Sequence, residues 1–143
     1  MRATELRIGN YVYGINRRSE IHLPDTIPLK VLQIELFNTE VLPLDQNPAT
    51  VEKWFKITNE DLSPILLTEE WLKKFGFFEK YKSVHSQWSL NGFAVQQTSD
   101  QDDDGNTIPQ EEVFYYEWNF EVKHVHQLQN LYFALTGEEL IIK

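Results

Sequence analysis

Period two dominates the pattern of apolar and polar positions in this chain. Its longest run is 113–122, where Phe114, Tyr116, Trp118, Phe120 and Val122 take one side and Val113, Tyr115, Glu117, Asn119 and Glu121 the other. That is the alternation of a half-buried antiparallel strand, and it turns an aromatic face toward a core. Shorter runs of the same kind occupy 6–13, 27–37, 41–44 and 54–57, with turn-forming residues between them. In the first, Leu6, Ile8, Asn10 and Val12 alternate with Arg7, Gly9, Tyr11 and Tyr13. In the second, Leu29, Val31, Gln33 and Glu35 alternate with Lys30, Leu32, Ile34 and Leu36. Several short strands within about sixty residues predict a small curled sheet or barrel.

The period changes twice. At Thr68 an N-cap is followed by Glu69 and Glu70, then by Lys73 and Lys74 and a closing Gly76, which predicts a two-turn helix over 68–75. Leu67 and Leu72 stand at staple positions around that cap. From Val125, the residues Leu128, Leu131, Tyr132 and Leu135 recur at helical spacing, leaving His126, Gln127, Gln129 and Asn130 largely on the other side. Gly137 is a left-handed stop for this second helix, 125–136. Leu140, Ile141 and Ile142 form a last apolar run, a short strand or a docked tail. Between the helices Asn91-Gly92 predicts a type I′ hairpin joining strands at about 84–90 and 93–98, which with 113–122 make a three-stranded meander.

The expected fold is therefore α+β: an N-terminal SH3-like or otherwise curled β-sheet lobe, a short capped helix, and a C-terminal antiparallel meander with one helix. The lobes are expected at 1–62 and 63–143, within one compact domain or as two. A length of 143 residues with 41% hydrophobic composition suffices for a core of either kind. No apolar run is long enough to span a membrane and the first ten residues lack a signal-peptide core, so a cytoplasmic address is expected. The chain has no cysteine, which removes disulfides, thiolate metal sites and cysteine nucleophiles. Its formal charge of -9 is uneven: residues 1–80 carry 10 Lys and Arg against 12 Asp and Glu, and residues 81–143 carry 3 against 10. Broad attraction to nucleic acid or anionic lipid is disfavoured by that balance.

Candidate chemistry is sparse. Asp100, Asp102, Asp104, Gly105 and Glu111 match the spacing of an EF-hand calcium loop, but both flanks read as strands where that motif needs helices. A solvated acidic loop is the simpler reading. His124 and His126 beside Glu121 offer two imidazoles and a carboxylate, across a junction that leaves the ring directions undefined. No nucleophile elbow, phosphate loop or separated carboxylate pair is present, so the reading is non-enzymatic, with no catalytic residue and no cofactor. For nucleic acid the candidates are Arg7, Tyr11, Tyr13, Arg17, Arg18 and Lys30, cations interleaved with aromatics on the N-terminal sheet.

Three stretches carry a family resemblance: LRIGNYVY at 6–13, LTEEWLKKFGF at 67–77 and VHQLQNLYFALTGEEL at 125–140. Through them the chain resembles a family of small uncharacterised proteins of Bacteroides and related bacteria that look like products of phage or integrated mobile elements. The opening L-R-x-G-N-x-V also resembles the first strand of SH3-like barrels. The resemblance implies a bacterial mobile-element origin and no reaction. The leading expectation is a binding or accessory protein acting through protein contacts. A nucleic-acid-binding module using the first lobe, and an acidic inhibitor that imitates DNA, stand behind it.

Overall fold

The computed structural model describes residues 1–15, 27–44, 55–81, 85–98 and 113–143. The chain divides into two units, Met1–Ile65 and Leu66–Lys143. Among the described residues, each is built on a five-stranded antiparallel sheet, and two α-helices belong to the second. Among the described residues, no helix is long and apolar enough to cross a membrane.

In the first unit β1 (Tyr11–Gly14), β2 (Leu29–Ile34), β3 (Asn38–Pro43) and β4 (Phe55–Thr58) run as successive antiparallel neighbours. A 3-10 turn at Asn59–Asp61 then leads into β5 (Leu62–Pro64), which pairs back on β1, giving the order β4-β3-β2-β1-β5. The sequence-based boundary at 62 falls inside the region of β5. Leu6, Val12, Leu29, Val31, Val41, Ile57 and Leu62 form the core, with Met1, Ile34 and Phe55 packed against it. Removing each such side chain from water contributes roughly 1.5–3 kcal/mol.

Two expectations for this sheet need correction. The alternation at 6–13 yields a strand only from Tyr11. Gly9 adopts φ +92°, the Asn10 amide donates to the Arg7 carbonyl at 3.1 Å and the Asn10 side chain accepts from the Arg7 amide at 2.7 Å, so Ile8 and Gly9 form the centre of a turn. That turn is fixed to β2, because the Gly9 amide donates to the Val31 carbonyl (2.8 Å) and the Val31 amide to Asn10 (2.9 Å). In β2 the alternation also changes phase, since the register shifts between Val31 and Gln33. The bulge puts Ile34 against the core and leaves Leu32 exposed. At the far end the buried Asn59 braces the β2–β3 turn: its Nδ2 donates to the carbonyls of Glu35 (3.2 Å) and Leu36 (3.1 Å), and its Oδ1 accepts from Thr39 (2.6 Å).

In the second unit α1 (Glu69–Lys74) follows the sequence rules closely. Thr68 Oγ1 accepts the Trp71 amide, and Glu69–Lys73 and Glu70–Lys74 pair at 3.5 and 2.9 Å. Gly76, at φ +86°, closes a Schellman motif in which Phe77 N–H reaches the Leu72 carbonyl at 2.9 Å. The sheet that follows has five strands rather than three: β6 (Phe78–Tyr81), β7 (His85–Leu90), β8 (Phe93–Thr98), β9 (Val113–Tyr116) and β10 (Phe120–Val122), in the order β10-β9-β8-β7-β6. The short β6 was hidden behind the glycine that ends α1. The predicted strand 113–122 is two strands, β9 and β10, folded on each other.

Both helices lie on one face of this sheet. The Lys73 ammonium sits over the Trp88 ring, and a relay from Trp88 Nε1 to Gln97 Oε1 (2.9 Å) and from Gln97 Nε2 to Glu69 Oε1 (3.0 Å) fastens α1. The second helix, α2 (Val125–Thr136), meets the same face through Tyr132, edge-on to Phe93 at 5.3 Å. Gln127 Oε1 accepts the amides of Lys123 and His124 at the helix start, and Gly137 ends it at φ +74°. Its buried stripe is rotated from the expected one. Val125, His126, Leu128, Gln129 and Tyr132 are buried, while Leu135 is exposed. The rotation has a polar cause: Gln129 donates to the Leu140 carbonyl (3.1 Å), so the final apolar run is a docked tail with Leu140 buried.

Candidate binding surface

Of the residues singled out for nucleic acid, Arg7, Tyr11, Tyr13 and Lys30 lie among the described residues. Tyr11 is paired with Lys30 across β1 and β2 but is only 3% exposed, so its ring faces are not offered to bases. Tyr13, Lys30 and Arg7 are half-buried. Arg17 and Arg18 lie outside the described residues, as do Asp100, Asp102, Asp104 and Glu111 of the calcium-like spacing. His124 and His126 stack with ring centroids 5.6 Å apart, His124 capping α2 and His126 buried in its first turn. Glu121 pairs instead with Lys123 at 3.4 Å. Among the described residues, no three His, Asp or Glu side chains gather closely enough to hold a metal ion.

Apolar side chains are exposed at several places, among them Leu36 and Phe37 in the β2–β3 turn and the tip of the β9–β10 hairpin. Register pairs Tyr116 with Phe120 and Phe114 with Val122, leaving Glu117, Trp118 and Asn119 as the connection. Phe114 and Val122 go to the core, as their alternation predicts, but Trp118 and Phe120 are 53% and 54% exposed. The expected aromatic core face is therefore half core and half surface. Glu117 and Trp118 have φ of +49° and +63°, the left-handed region that side chains with a Cβ rarely take. Holding two such residues there costs of order 1–2 kcal/mol each. The Tyr116 hydroxyl beside them is held above its ordinary range, first by burial and then by the charge of Glu117 and a hydrogen bond to it. Tyr116 in turn stacks on Phe93 at 5.3 Å, which anchors the base of the hairpin to the core under α2.

Sequence reasoning missed this tip because the period survived it. The usable signal was weaker: Asn119 in the middle of an uninterrupted ten-residue strand, where asparagine is depleted and turns favour it. No protein-family model, curated protein or solved structure matches the chain.

Proposed function

We propose that this chain is a non-enzymatic binding protein that acts through protein contacts, an accessory factor of the phage or mobile element its resemblance implies, and that the β9–β10 tip is its contact. The observation that carries this reading is a half-exposed Trp118 held at a left-handed φ, with half-exposed Phe120 beside it. Strained backbone at an exposed aromatic persists where the side chain is needed, and tryptophan is the most frequent anchor of protein interfaces. The surface offers apolar area rather than paired acid and base groups, which favours binding over catalysis. Glu117 flanks the tryptophan in the acidic C-terminal part of the chain, so the complementary partner presents an apolar pocket with a basic rim.

The strand order of the first unit, with a 3-10 turn before the strand that returns to β1, supports an SH3-like reading of that lobe. Such a fold serves many functions and leaves the site to decide. The test is pairwise binding of the full chain to the products of the adjoining reading frames. Replacing Trp118 and Phe120 together by alanine is expected to weaken the recognised pair by at least about 2 kcal/mol, some thirtyfold, with the melting temperature retained. Unchanged affinity would remove the tip from the interface.

A further inference from the structure

We propose that the face of the second sheet opposite α1 and α2 is a platform for a neutral oligosaccharide. Because α1 and α2 both take the face of Trp88, Val95 and Phe114, the alternate positions of every strand point the other way. On that face the register aligns one residue from each of the five strands in a single row: Glu121, Tyr115, Gln96, Gln87 and Tyr81. The row crosses four inter-strand spacings, roughly 19 Å.

The chemistry of the row selects its occupant. Two amides lie directly opposite each other at its centre, and each offers two donors and an acceptor. Tyrosines flank them, Tyr115 half-buried and Tyr81 exposed. A pyranose has this same division, a C–H face that stacks on an aromatic ring and hydroxyls at its edge that both donate and accept. Gln96 Oε1 is out of solvent without a hydrogen-bond partner among the described residues. An acceptor left so is destabilising, and turning the amide toward a ligand hydroxyl would satisfy it.

Charge excludes the alternatives. The row contains no basic residue and a single carboxylate at its end, on a chain of net charge -9, so phosphate-bearing polymers find no counter-charge in it. The Lys80 ammonium beside the row lies over the Tyr81 ring at 5.5 Å, so stacking by a sugar falls chiefly to Tyr115. An extended peptide would pair with a sheet edge through its backbone rather than lie across a face whose amides and carbonyls are already in the ladder.

The experiment is a titration of the full chain with maltohexaose, cellohexaose, xylohexaose and chitohexaose of the N-acetylated form, followed by calorimetry and by backbone and side-chain amide shifts. At least one sugar is expected to bind with a dissociation constant in the millimolar range or tighter, shifting the Gln87 and Gln96 amides. Gln96→Leu should weaken that binding at least tenfold while the melting temperature holds or rises, because the variant removes an unsatisfied acceptor. A purely structural glutamine would instead lower the melting temperature and leave affinity unchanged. Tyr115→Ala, on the neighbouring strand, should give the same loss and serves if the first variant does not fold. No binding by any of the four at millimolar concentration, shifts confined to other strands, or affinity indifferent to both variants would overturn the proposal.

Discussion

Two hairpins of the second sheet, β7–β8 and β9–β10, turn on the same left-handed backbone and fill it with opposite kinds of residue. Between β7 and β8 the turn is Asn91 at φ +48° and Gly92 at φ +86°, residues that accept that conformation readily. Between β9 and β10 it is Glu117 and Trp118, which do not. Both turns project into solvent, so burial does not account for the second choice. An exposed turn under no other demand would have the first composition. The difference teaches that the second turn is specified by what it displays, and the first by how it folds.

The comparison is strengthened most by making the second turn like the first. Glu117→Asn with Trp118→Gly is expected to abolish partner binding while raising stability by about 1 kcal/mol in urea denaturation, since glycine relieves the left-handed strain. The converse change, Gly92→Ala, should lower stability by about 1 kcal/mol and leave binding intact. Its effect comes from the backbone alone, because no atom lies within 4 Å of the added Cβ. Asn91→Ala should cost less, about half a kcal/mol, because asparagine is only partly favoured there.

The smallest effect belongs to a control outside both turns. The Glu70 carboxyl is held below its ordinary value of 4.5, first by a hydrogen bond from Lys74 and then by that ammonium's charge. A depressed folded pKa stabilises above the unfolded value, and that contribution is lost as pH falls through the folded one. Glu70→Gln should therefore lower the melting temperature slightly at neutral pH. The difference from the parent protein should vanish once acid has protonated Glu70 in both states, and added salt should shrink it at neutral pH because the pair is solvent-screened.

The same pair of hairpins shows what the sequence made legible. A two-residue turn shifts the inward positions from even to odd numbers, from Trp88 and Leu90 to Phe93 and Val95, so the break announces itself. A three-residue connection leaves them even, from Phe114 and Tyr116 to Phe120 and Val122, and period two runs through the turn unbroken. Alternation thus located the strands correctly and concealed the reversal, along with the exposed tryptophan at its tip. The α1 helix was fully readable because its cap, charges and Schellman glycine are all local. The α2 stripe was read correctly at Val125, Leu128 and Tyr132 and missed Gln129, whose burial depends on a carbonyl eleven residues away. The platform row was unreadable for a similar reason: it exists only once five strands are in register.

Urea denaturation of Trp118→Gly beside the parent protein tests most directly whether this residue is retained for display. If it is, the midpoint shifts little, with an unchanged slope, since relief of the left-handed strain offsets the loss of the buried half of the side chain. A fall of about 3 kcal/mol or more, the cost of truncating a core tryptophan, would show that Trp118 is held for packing and would contradict the account.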